Sequence, residues 1–279
     1  ERTQQHSPPG VCYRAGDPLP ERDPGRAGFK YQHSLEEQED KGILHININN
    51  RNLGITKNSQ IINSMCKGKY IAWMGGDDIM LPDKLKKQVE YMENNDNCYL
   101  CYHNMEIFDV NLGKTIGYFN NSKKNYIYDI KTLIKYGTLN CASSTMVKRE
   151  KVPKYGFDER LRVASDWLYW IETVGLKGKI IYIDEVLGKY RRHSKNITNA
   201  YGNNINEAML DTLNTINILL HKYPQFEKEI LYRASEIWYS YRYFFNYPNT
   251  LKISLGYSVR LKVLLKFFIY YLSFMKLKL

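Results

Sequence analysis

The sequence predicts an α/β fold: an open sheet whose carboxyl edge carries a ligand site, with an unlike leader in front of it and a helical extension behind. Three observations predict it. Strand-like apolar runs alternate with helical periodicity over residues 43–198, an acidic turn follows one of those runs directly, and from about residue 203 the pattern is helical throughout.

The stretch 67–84 organises the rest. Residues 70–74 are an almost wholly apolar run, the pattern of a strand covered on both faces, and Gly75-Gly76 break it because glycine admits backbone angles closed to other residues. Asp77 and Asp78 follow at its carboxyl end, which is where open α/β sheets bind ligands. Pro82 suits the first turn of a helix that continues through Leu85, Val89 and Met92. Two adjacent carboxylates repel each other unless a cation or sugar hydroxyls share the site, and Mg²⁺ or Mn²⁺ prefers such oxygen ligands together with substrate phosphates. The plainer alternative is a solvated turn whose acids favour the dipole of the following helix.

At 279 residues the chain can bury one large core or two modest ones. Its net charge of +11 suits an anionic partner, a sugar nucleotide or a membrane surface, while nucleic acid is not the expected one. Five scattered cysteines do not form a disulfide framework, which points to a reducing, cytoplasmic setting. Cys98 and Cys101 have the spacing of a metal pair but no second pair, and in a strand their thiols would face opposite ways.

Residues 1–41 differ from the rest of the chain. Five of the nine prolines fall by Pro24, no isoleucine precedes Ile43 and no lysine precedes Lys30, so this leader reads as disordered or foreign to the domain behind it. Residues 43–48 alternate into a strand. Asn52 and Gly54 turn the chain into a helix with Thr56 as its N-cap, an inward face of Ile61, Ile62 and Met65, and an end at Gly68. Asn52, Asn58 and Gln60 lie near that helix start, where amides meet phosphate or simply cap the turn. Residues 98–108 read as a strand with a hairpin-like turn after it, 129–136 as a short helix closed by Gly137, and 142–147 as another strand. Ser165 or Asp166 begins a helix that carries Trp167 and Trp170. An acid beside two large aromatics suits a general base facing a sugar; equally, Asp166 is an N-cap and both indoles are core. Residues 180–183 form a strand, and 188–194 a basic loop in which Arg191, Arg192 and His193 meet a diphosphate or a metal, or lie on the surface.

Taken in order, Asn52-x-Gly54, Lys67-Gly68-Lys69-Tyr70-Ile71-Ala72, Gly76-Asp77-Asp78 with Leu81-Pro82, Gly156-Phe157-Asp158-Glu159, Ser165-Asp166-Trp167 and Tyr190-Arg191-x-His193 resemble the inverting family 2 glycosyltransferases of GT-A fold, a Rossmann-like fold for nucleotide-diphospho-sugar transfer. The resemblance covers residues 43–198. It implies a nucleotide-sugar donor, a glycan or lipid-linked acceptor of the kind used in polysaccharide biosynthesis, and Mg²⁺ or Mn²⁺. It also implies that Asp77 holds the donor ribose, with Asn52, Gly54, Asn58 and Arg191 around the donor. Asp78 and His193 would hold the metal, Asp166 would be the general base, and Trp167 and Trp170 would meet the acceptor. Three departures stand beside it. Gly75 replaces the usual first acid of the metal motif, Ser59-Gln60 replaces an Arg-Asn pair, and residues 1–41 do not look like the strand-helix-strand unit that normally opens the fold. The expectation is a catalytic domain over 42–198 that is incomplete at its amino end, with an open strand edge at 43–48 and weak donor binding as consequences.

The last domain, 199–279, reads as helices over 205–220 and 226–245 and then a tail, 251–279, with Lys252, Arg260, Lys262, Lys266, Lys276, Lys278 and no acid. Its uncharged run, 267–275, is too short for a bilayer of about 30 Å, which needs around 20 residues. It is suited instead to lie on the inner face of a membrane with its lysines at anionic headgroups, or to pack on the catalytic domain.

Overall fold

The computed structural model describes residues 10–13, 44–120, 127–137, 139–193 and 205–240. Most of the expected leader, the junction near 198, the end of the last helix and the basic tail lie outside the described residues.

A six-stranded mixed sheet forms the centre. Its strands are β3 (Tyr70–Ala72), β4 (Ile79–Met80), β5 (Cys98–Asp109), β6 (Lys114–Tyr118), β7 (Thr145–Lys148) and β8 (Lys179–Arg192), in the order β3-β7-β5-β8-β4 with β6 beside β5. β5 and β8 run parallel, and the other pairings are antiparallel. The strand at 70–72, expected at the centre, is an edge. The long β5 takes the middle and is covered along residues 98–106, apart from a half-buried Tyr99, with His103, Asn104 and Glu106 among the buried side chains.

Side chains alternate between two layers. Leu100, Tyr102, Val147 and Ile180 face a large core built with α3 (Ile130–Tyr136), α4 (Asp166–Val174), α5 (Ile205–Lys222) and α6 (Glu227–Ser240). Cys101, Met146 and Ile183 face the other way, toward α2 (Lys84–Glu93) and its Met92. α3 ends at Gly137 as expected and opens on Asp129 as N-cap, whose carboxylate accepts from Thr132 N at 2.8 Å in a capping box.

The helix after the acidic turn departs from expectation. It starts at Lys84 rather than Pro82, with Asp83 as N-cap in a left-handed conformation of φ 63°. Its fully buried face is Lys84, Gln88 and Met92, while Leu85 and Val89 are only half-buried. Helix α1 (Ile55–Met65) likewise buries Thr56 rather than Ile61, Ile62 and Met65, and its N-cap is Gly54 with φ 81°, not Thr56. The expected basic loop at 188–194 is mostly strand, since β8 runs on to Arg192 against β5.

β2 (Leu44–Asn47) does not join the large sheet. It pairs antiparallel with β1 (Gly10–Tyr13), so four residues of the leader form a strand and occupy one edge expected to be open.

Candidate active site

The acidic turn is held from two sides. On one, the β4–β8 pairing and the bond from Leu81 N to Leu187 O bring it against the end of β8. There Arg191 N donates to Asp78 Oδ1 at 3.1 Å, and Arg191 Nε donates to the Asp77 carbonyl. On the other side Ser143, in the 3-10 turn Ala142–Ser144, donates its hydroxyl to Asp78 Oδ2 and accepts from Gly75 N at 2.7 Å. Neither Gly75 nor Gly76 has a positive φ, so the glycine at 75 answers a need for space instead. A Cβ there would stand 3.1 Å from Asp77 Oδ1, 3.1 Å from Asp78 Oδ2 and 3.2 Å from Ser143 Oγ.

The two acids differ sharply. Asp78 is 3 % exposed, and burial pushes its carboxyl up to about 6; the Ser143 hydrogen bond opposes that rise and the neighbouring Asp77 charge adds to it. The Asp77 side chain is 44 % exposed, and His193 Nε2 lies 3.2 Å from its Oδ2. His193 therefore meets Asp77 and not Asp78, which differs from the expected metal pair. Among the described residues no group of three or more His, Cys, Asp or Glu side chains gathers in a way that could hold a metal ion alone. Asp77 offers one exposed carboxylate and His193 one ring nitrogen beside it, with Asp78 behind them.

Asp166 is the first residue of α4, after Ser165 as N-cap, so it does not cap the helix. Its Oδ1 accepts from Trp167 N at 2.8 Å, and burial raises its pKa against that single kind of support, backbone N–H groups. Three contacts place it. Ser165 Oγ is 2.8 Å from Thr56 Oγ1 on α1, and both side chains are buried. Asp211 on α5 accepts from Val163 N at 2.6 Å and Ala164 N at 3.0 Å, which fixes the backbone just ahead of α4. Trp73, two residues before Gly75, packs edge-on against Tyr169 and Trp170, at 5.9 and 6.3 Å between ring centroids, so one aromatic cluster carries both the acidic turn and α4.

Trp167 and Trp170, expected to meet an acceptor, are 3 % and 1 % exposed. Trp167 Nε1 donates to Leu133 O at 3.2 Å, so both indoles are packing residues and offer no ring face to a sugar. The amide cluster is also engaged locally. Asn52 Oδ1 accepts from Gly54 N at 2.9 Å, Asn58 Oδ1 accepts from Asn49 Nδ2 at 2.8 Å, and Gln60 Oε1 accepts from Phe157 N at 2.7 Å. The last bond demands glycine at 156, where φ is +69° and a Cβ would fall 1.9 Å from Gln60 Oε1. Ser143, Thr56 and Asp211 are not legible in the sequence, because nothing in a lone Ser, Thr or Asp announces a partner from 48 to 109 residues away.

Residues 30–156 match the profile of glycosyl transferase family 2, which takes in the acidic turn and Ser143 and stops short of Asp166 and β8. An uncharacterised glycosyltransferase from Methanocaldococcus jannaschii is 36 % identical over 158 residues, 56 % of this chain and 52 % of that protein. Another from Haemophilus influenzae is 29 % identical over 181 residues, 61 % of this chain and 54 % of its own length. The chain thus spans about half the length of the curated relatives it matches. Among solved structures, S. aureus TarS residues 1–349 superposes with a TM-score of 0.52 at 12 % identity, covering 87 % of this chain and 66 % of TarS 1–349. The same fragment in complex with UDP-GlcNAc gives a TM-score of 0.54 at 12 % identity over 85 % of this chain and 66 % of that one. Residues 30–156 are thus similar to glycosyl transferase family 2, and the fold is the GT-A fold.

Proposed function

We propose that the protein transfers a sugar from a nucleotide-diphosphate donor to a hydroxyl of a glycan or lipid-linked acceptor, with inversion, and that Asp166 is its general base. The observation that carries this reading is a half-buried carboxylate at the start of α4, without an ionic partner among the described residues and tied through Trp73 to the buried acidic turn. A raised pKa makes Asp166 a stronger base than an exposed carboxylate, so it can take the acceptor proton as that oxygen attacks the anomeric carbon. The leaving nucleoside diphosphate departs from the opposite face, and no covalent intermediate on the protein is needed.

Asp77 and His193 are the groups available to a cation shared with the diphosphate, and Arg191 lies beside them. A bound Mg²⁺ or Mn²⁺ would supply charge neutralisation to that leaving group. Asp78 holds the turn in shape from behind through Ser143 and the Arg191 backbone. The relative crystallised with UDP-GlcNAc supports the donor class. The basic tail 251–279 would keep the protein on an anionic membrane at the cytoplasmic side, and among the described residues no helix is long and apolar enough to cross one. The test of catalysis is nucleotide-sugar turnover with Mn²⁺ on purified protein. Hydrolysis or transfer that vanishes in Asp166→Asn supports the reading, and turnover unchanged in that variant removes Asp166 from it.

A further inference from the structure

Helix α2 begins six residues after Asp78 and buries two polar side chains completely. Lys84 is 1 % and Gln88 0 % exposed, and they meet on one face of the helix, Lys84 Nζ donating to Gln88 Oε1 at 2.9 Å. The Lys84 ammonium has no carboxylate partner among the described residues, and burial pushes its pKa down to about 8, so the charge is costly where it sits. Gln88 Nε2 donates in turn to Ser144 O at 3.0 Å, and Ser144 is itself fully buried. An ammonium only donates and a carbonyl only accepts, so the Gln88 amide can face these two partners in one way alone.

Ser144 closes the 3-10 turn whose Ser143 donates to Asp78 Oδ2 and accepts from Gly75 N at 2.7 Å. That turn holds its own shape: Ser144 Oγ donates to Cys141 O at 2.8 Å, and Thr145 Oγ1 to Ala142 O at 2.7 Å. Those two bonds reach neither the acidic turn nor α2. The Gln88 amide ties the 3-10 turn to the helix into which the acidic turn leads.

We propose that Gln88, aimed by the Lys84 ammonium, is a positioning residue that keeps the Ser143 hydroxyl on Asp78 and so sets the shape of the turn carrying Asp77. An apolar side chain at 84 could not aim the amide, which gives the buried charge a use. Naming that turn a donor site rests on the transfer reading; the placement of Ser143 does not. A shift of the backbone over 75–78 would carry the Asp77 carboxylate with it and weaken donor binding, while Asp166 on α4 stays as it is.

The test is hydrogen exchange of the full chain, read at the Gly75 and Asp78 amides, which donate to Ser143 Oγ and Gly75 O, against the amides of α4. Gln88→Glu keeps an acceptor for Lys84, now as an ion pair, but turns a second acceptor toward Ser144 O. Exchange at Gly75 should rise about tenfold, the scale of one lost hydrogen bond, with α4 unchanged. Lys84→Met, close in volume, removes the buried charge; melting temperature should hold or rise while Gly75 exchange again increases. In nucleotide-sugar turnover with Mn²⁺, Gln88→Glu should raise the donor KM about tenfold and leave kcat within about twofold, since the base is untouched. Gly75 exchange unchanged in either variant, or a rise shared equally by α4, overturns the proposal, as does a fall in kcat with KM unchanged. A wild-type protein without turnover would remove the transfer reading and leave exchange to decide the positioning of Ser143.

Discussion

The acidic turn at Gly75–Asp78 buries its carboxylate, the start of α4 at Asp166 leaves one half-buried, and the two are held by opposite means. Asp78 spends both its oxygens on protein donors, Ser143 from one strand connection and Arg191 from another, and acts as the knot of its turn. Asp166 receives only backbone N–H groups, its own and that of Trp167, while Thr56, Asp211 and Trp73 fix its surroundings and leave its carboxylate without an ionic partner among the described residues. Burial is the same force in both places. What differs is how many protein donors answer the charge, and on the proposed reading that difference separates a structural acid from a base.

The largest expected effect breaks the base. Asp166→Asn, nearly isosteric, should lower turnover by about 10² or more while melting temperature and donor affinity stay near wild type. Asp78→Ala should behave otherwise, because it strands the Ser143 hydroxyl and the Arg191 N–H: activity and melting temperature should fall together. Turnover and thermal unfolding measured side by side distinguish the two, and equal behaviour of the variants would erase the contrast between the two acids.

Next in size is the support of Asp166. Asp211 is 4 % exposed and accepts both Val163 N and Ala164 N. Asp211→Ala leaves two backbone donors without an acceptor and should cost about 1–3 kcal/mol in denaturant unfolding. Asp211→Asn keeps an acceptor oxygen and should recover much of that. A loss below a few tenths of a kcal/mol would show that the loop before α4 holds its shape unaided.

These supports explain what could be read in the sequence and what could not. Elements whose signal is local were legible: the short helix closed by Gly137, the helices in the carboxyl-terminal third, the strand at 98–108. The placement of Asp77 and Asp78 on a turn and of Asp166 at a helix start was legible too, since both are local patterns. What failed depended on distant partners. Trp167 and Trp170 look alike whether they face a sugar or a core, and only the packing of α3 and Trp73 decides for the core. The buried face of α2 carries Lys84 and Gln88 because the pair satisfies itself, Lys84 Nζ donating to Gln88 Oε1 at 2.9 Å and Gln88 Nε2 to Ser144 O at 3.0 Å. Hydrophobic periodicity cannot foresee such a pair. The basic loop became strand because Arg191 and Arg192 find register partners in β5, Phe108 and Asp109.

A smaller effect sharpens the contrast within the acidic turn itself. Asp77 is the exposed member, paired with His193, so Asp77→Ala should weaken donor binding about tenfold, the scale of a lost charge-assisted contact, while leaving melting temperature unchanged. Calorimetry with Mn²⁺ and nucleotide diphosphates measures the first and thermal unfolding the second. A lowered melting temperature would place Asp77 with Asp78 as part of the knot.

The smallest net effect is expected in a double variant, where two buried groups that oppose each other are removed together. Asp78 is pushed up from 3.8 to about 6, chiefly by burial, so between those pH values the folded chain holds more protons than the unfolded one, and stability falls as pH rises. His103 is pushed down from 6.5 to about 4 by burial and by the nearby Lys84 charge, so over nearly the same window the unfolded chain holds more protons and stability rises with pH. Each shift amounts to about 3 kcal/mol. Relative to wild type, Asp78→Asn should therefore gain about 3 kcal/mol as pH rises from 4 to 6.5, and His103→Gln should lose about as much over that range. The double variant should follow the wild-type pH profile within about 1 kcal/mol, since the two contributions cancel. Urea unfolding at half-unit pH steps reads all four chains. If Asp78→Asn tracks wild type throughout, Asp78 is ionised in the folded protein well below pH 6 and the donors from Ser143 and Arg191 outweigh its burial, which would make it as ready a ligand as its exposed neighbour.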